Sequence, residues 1–171
     1  MDATAQPTNQ TPAYLAIASG AVLAIASFLS WVTVKASVPS LGINESFSAS
    51  GWDGSDGKIT LICGLLIAAA GVMYLMKAAT PLVHGILAGL AGVAALIVGL
   101  IDYSDATDAA DVPASVSAVG GKVEGSASFG LYLVILAAVV GIVAAVMLVR
   151  NRNAYGAPTA PDVPPAAPPA A

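Results

Sequence analysis

The chain has 171 residues, 57% of them hydrophobic and only 9% charged, with a formal charge of −4 at neutral pH. Soluble domains carry about 25% charged residues, so this composition points to a chain that lives in lipid rather than water. Six Lys and Arg against ten Asp and Glu leave no basic surface for nucleic acid, and a lone Cys63 excludes an intrachain disulfide framework or a cysteine-based zinc cluster.

Residues 1–13 contain Asp2 and no Lys or Arg, unlike the basic leader of a signal peptide, so the first apolar run is expected to be kept. That run, Tyr14 to Val34, is read as the first transmembrane helix. Loop 35–58 follows. Within it, Val38 to Ser50 alternates roughly between apolar and polar residues, which predicts a short β-hairpin. Phe47 and Trp52 are its expected exterior contact residues. Asp56 stands where it would cap a second helix, read as 59–76.

Lys77 to Pro81 makes a turn short enough to force an antiparallel hairpin into the third helix, 82–101, with Thr80 and Pro81 as its N-terminal punctuation. Loop 102–128 then places Asp102, Asp105, Asp108 and Asp111 at three-residue spacing. We read these as a solvated acidic collar; Asp105 and Asp108 are the expected contact residues, and the pattern lacks the alternation and closing Glu of a calcium loop. The fourth helix is read as 129–149, capped by Ser128, and the Pro- and Ala-rich segment 150–171 as a disordered cytoplasmic tail. Each run of about 18 to 21 residues makes a helix of roughly 27 to 31 Å, the thickness of a hydrocarbon core. The expected fold is therefore an antiparallel four-helix transmembrane bundle, 14–149, with two long exterior loops.

The basic residues divide evenly: Lys77, Arg150 and Arg152 lie on the short-turn side, Lys35, Lys58 and Lys122 on the loop side. Eight of the ten acidic residues lie in the long loops. The arginines that seal the last helix, with the basic turn beside them, place both termini in the cytoplasm of a plasma-membrane protein.

Lipid gives helices no hydrophobic drive to associate, so close packing at small residues must hold them together. In the third helix Gly85, Gly92 and Gly99 recur every seven residues, and Gly89 completes a Gly85-x3-Gly89 pair; Gly64, Gly71 and Gly141 supply seams on the second and fourth helices. We read these as packing within the chain, with a homo-oligomer or a partner interface as the alternative. Both halves also run helix, acidic loop, glycine-rich re-entry, helix, so an internal duplication is one reading of the pattern.

No Asp, Glu, Lys, Arg or His lies within a span; His84 and Asp102 sit only at the ends of the third. Coupled transport, which keeps charge at membrane depth, is therefore not expected. Cys63 and the serines of the first helix have no neighbouring base, so neither nucleophilic catalysis nor a cofactor or metal is expected.

Ser30-Trp31-Val32 at the end of the first run, the Gly51-Trp52-Asp53-Gly54 re-entry and the Pro-Ala tail resemble small four-span membrane proteins of actinobacterial envelopes. The topology is also similar to that of claudins, whose paired loop cysteines are missing here. The first resemblance implies an accessory or scaffolding subunit of a larger respiratory or envelope complex, partnered by other integral membrane proteins. The alternatives are a self-associating pore and an exterior ligand or cation sensor built on the acidic loop.

Overall fold

A computed structural model describes residues 9–78, 80–108 and 121–151. The chain is mostly helical. In order come α1 (Thr11–Ala26), β1 (Ser30–Val38), β2 (Ile43–Ser50), α2 (Asp56–Leu75), α3 (Pro81–Asp108), β3 (Lys122–Ala127) and α4 (Phe129–Arg150). The last three helices are long and apolar enough to cross a membrane; α1 is a shorter apolar helix of 16 residues. α1 packs on α2 and α4, and α3 on α2 and α4.

The first helix ends eight residues sooner than its apolar run, at Ala26 rather than Val34. The backbone tightens there, as Phe28 and Leu29 donate to carbonyls only three residues back. The chain then extends. Trp31 to Val34 is aromatic and β-branched, residue types that suit a pleated strand, and β1 finds a partner on each side. A hydrophobic count cannot separate such a strand from one more turn of helix.

The expected hairpin exists but starts earlier than Val38. β1 pairs antiparallel with β2 from Ser30↔Ser50 to Val38↔Ile43, joined by a short 3₁₀ turn, Pro39–Leu41. Gly42 closes that turn at φ 65, a left-handed conformation that costs glycine little.

Loop 102–128 is not a plain exterior loop. α3 continues through it to Asp108, and Lys122–Ala127 returns as β3 on the other edge of β1, giving the order β2-β1-β3. The two halves share a helix, strand, helix order, but the first contributes two strands and the second a helical extension and one strand. The sheet has two unlike faces. Val32, Val34 and Ala36 of β1 stand beside Ala49, Phe47 and Glu45 of β2 and beside Ala127, Gly125 and Val123 of β3; the opposite face carries Thr33, Lys35 and Ser37, with Lys35 across from Glu124. Val32 and Ala127 pack on the core. Arg152, Asp111, the tail and the first eight residues lie outside the described residues.

Candidate functional site

The predicted packing glycines fall into two sets of contacts. At the α1–α2 crossing, a methyl group on Gly64 would stand 2.7 Å from the Gly20 carbonyl oxygen, and one on Gly71 would stand 2.6 Å from that of Ala13. Backbone meets backbone. The α3–α4 seam repeats every seven residues on both sides: Gly85 lies under Val149, Gly92 under Ile142 and Gly99 under Ile135, with 2.9 and 3.1 Å left for a methyl group at the last two. Gly89 differs, since a methyl group there would reach the Ala145 Cβ only at an ordinary 3.6 Å. Gly141 faces Ile67 of α2, whose Cδ1 would stand 3.2 Å from a methyl group placed there. Buried polar groups add ties: the Ser27 and Thr60 hydroxyls lie 2.9 Å apart between α1 and α2.

His84, expected at an interface, is wholly buried, its ring edge-on to Tyr74 at 6.2 Å. Cys63 is a buried free thiol. Among the described residues no group of three or more His, Cys, Asp or Glu is arranged to hold a metal ion.

The polar end of the molecule is organised by Trp31. Its indole Nε1 donates to the Ala26 carbonyl at 2.8 Å, and its ring lies where a side chain on Gly51 would go. Gly57 in turn leans on the Gly51 carbonyl, so the Gly51 and Gly57 positions admit the strand, the turn and the start of α2 into one junction. The re-entry glycines thus accommodate Trp31, not Trp52. Trp52 remains 44% exposed and stacks on Phe28 at 4.9 Å, with the Lys58 ammonium 5.7 Å from its ring centroid. Phe47, on edge strand β2, is 65% exposed.

Below this junction lies a cleft of ≈360 Å³, formed by β1, β2, the Gly51–Asp53 turn, the start of α2 and the extension of α3. Its acidic groups are Asp53, Asp56, Asp102 and Asp105, set against an apolar wall that includes Trp31, Val32 and Ala106. Asp105, a predicted contact residue, is therefore joined by Asp102 of its own helix and by Asp53 and Asp56 from two other segments. Asp108 ends α3, and its side chain lies outside the described residues.

The carboxylates are not equivalent. Asp53 accepts hydrogen bonds from the Ser50 backbone N–H at 2.8 Å and the Ser50 hydroxyl at 2.9 Å, which hold its carboxyl below the usual range. Asp102 lies just past Ile101, where the uncharged stretch of α3 ends. Burial pushes its carboxyl up to about 6, helped by the charge and a side-chain hydrogen bond of Asp56 and by the charge of Asp105. Like charges crowded in a half-dry cleft favour keeping one proton.

Two expected caps work differently. Ser55, not Asp56, occupies the N-cap of α2, and the Ser128 hydroxyl meets that of Thr33 at 2.7 Å instead of capping α4. The contact of Asp102 with Asp56 joins two helices that no local pattern connects, and the packing of Trp31, visible in the sequence only as part of Ser30-Trp31-Val32, arises from the fold. No family model matches the chain, and no curated protein matches it in sequence.

Proposed function

We propose that this is a multi-pass plasma-membrane protein that crosses the bilayer four times with both termini in the cytoplasm. It acts there as a non-catalytic accessory or scaffolding subunit of a larger membrane complex. One observation carries the reading. The small residues of the helix seams, Gly89 apart, are spent on contacts inside the chain, while Ile25, Leu65, Leu90, Ile97 and Leu136 stand exposed around the helices. An apolar belt of that extent has lipid or other membrane helices as its natural solvent. Residues 27–29 complete the crossing of the short α1. The sheet and the cleft then face the exterior, with Phe47 and the edge of β2 open to a partner.

A self-associating pore has less support, because Gly85, Gly92 and Gly99 are already occupied by α4. An exterior sensor has less support as well, because the four carboxylates share a cleft but no three of them are arranged to hold a metal ion; a thermal midpoint that ignores calcium from micromolar to millimolar would remove it. The subunit reading is tested by native co-purification in mild detergent. Other integral membrane proteins should come down in fixed ratio and be lost with Phe47→Ser; a chain that runs alone as a monomer contradicts it.

A further inference from the structure

A second concavity lies at the opposite end of the helices from the acidic cleft. Between α3 and α4 an apolar groove of ≈430 Å³ opens outward, with Gly89 and Ala145 in its floor and Leu90, Val93 and Ile142 in its walls. The only charged residue lining it is Arg150. The groove exists because the heptad seam skips a position. Val149 fills the space at Gly85 and Ile142 that at Gly92, but between them Gly89 faces only Ala145.

The shape restricts the occupant. Gly85 to Val93 and Ile142 to Arg150 each advance roughly 12 Å along a helix, close to the depth of one leaflet of a core about 30 Å thick. Ile142 blocks the seam beyond that point, so a partner's transmembrane helix, which needs contact along a whole span, has no continuous track. The charge restricts it further. Every carboxylate among the described residues, from Glu45 to Glu124, belongs to the far end of the molecule, so the exposed Arg150 guanidinium meets no described carboxylate. An apolar slot one leaflet deep with a cation at its mouth complements an anionic phospholipid.

We propose that this groove binds one acyl chain of an anionic phospholipid from the leaflet at the Arg150 end, with Arg150 holding its phosphate. The proposal rests on the membrane reading above. It is tested on the purified full-length protein, delipidated in mild detergent and offered equal amounts of dioleoylphosphatidylglycerol and dioleoylphosphatidylcholine, with bound lipid counted by native mass spectrometry. One phosphatidylglycerol per chain should be retained with about fivefold preference. Arg150→Gln, a change at an exposed side chain, should abolish the preference, and Gly89→Leu should abolish retention of both lipids while helical circular dichroism is unchanged.

Equal retention of the two lipids by the unaltered protein overturns the proposal, as does a preference that survives Arg150→Gln. So does a dimer that Gly89→Leu converts to monomer, which would make the groove an interface between copies. If the leucine variant does not fold, the Arg150 variant decides alone. Failure of the membrane reading is a separate result: the chain would stay dispersed in buffer without detergent, whereas failure of the lipid site leaves it in vesicles with no headgroup preference.

Discussion

The helical layer and the cap over it are built on different principles. In the helical layer, contact is made by removing atoms: Gly20 against Gly64 and the Gly85, Gly92, Gly99 ladder under α4 bring backbones together, and the positions recur with the helix. In the cap, contact is made by large or charged groups brought from distant parts of the chain: Trp31 against Gly51, Asp102 against Asp56, Lys35 across from Glu124. A layer of the first kind is rigid and intolerant of added volume. A cap of the second kind yields in smaller steps, and one of its members, an ionised Asp102, works against stability.

The largest expected effect should come from the helical layer. Gly64→Leu sets a side chain against the Gly20 carbonyl, a backbone atom that cannot turn aside, and should cost more than about 3 kcal/mol. The readout is loss of a cooperative thermal transition in detergent; an unchanged transition would mean that the α1–α2 crossing is looser than described.

Trp31→Phe tests the cap. It deletes the 2.8 Å hydrogen bond to Ala26 and part of the ring against Gly51, for a loss of about 1–3 kcal/mol by denaturant titration. A loss as large as that of Gly64→Leu would erase the distinction between the two regions.

The smallest effect has the opposite sign. Because the folded protein raises the Asp102 carboxyl from 3.8 to about 6, its contribution to stability is complete below 3.8 and is lost as the pH rises through about 6. Asp102→Asn keeps the uncharged form at every pH. It should raise the thermal midpoint by about 2–4 °C at pH 7.5 and flatten its decline between pH 4 and 6. A variant less stable than the parent at pH 7.5 would mean that the carboxylate is held by a favourable partner instead.

The same division governs what the sequence discloses. α2 and α4 lie within three residues of their expected limits, since uncharged runs bounded by Lys58, Lys77 and Arg150 leave little latitude. The glycine ladder is visible because a heptad is a local pattern. The end of α1 is not visible: Ser30 to Val34 is as free of charge as the helix before it, and only pairing with residues 47 to 50 and 125 to 127 makes it a strand. β3 is hidden for the converse reason, since Lys122-Val123-Glu124-Gly125-Ser126-Ala127 has the composition of a loop and becomes a strand by lying beside β1. The acidic collar was legible as charge, but a cleft that joins Asp53 and Asp56 to Asp102 and Asp105 depends on how α2 meets α3.

The central claim is that the helical layer sits in lipid with the cap on one side. It is tested most directly by labelling single cysteines in intact cells with a membrane-impermeant maleimide, in a Cys63→Ala background. Ser46→Cys and Ser126→Cys, on the sheet, should label from outside, while Gln10→Cys, Ala78→Cys and Asn151→Cys should label only after the membrane is opened. Labelling of Ala78→Cys together with Ser46→Cys in sealed cells, or recovery of the chain in the aqueous fraction, would contradict the account.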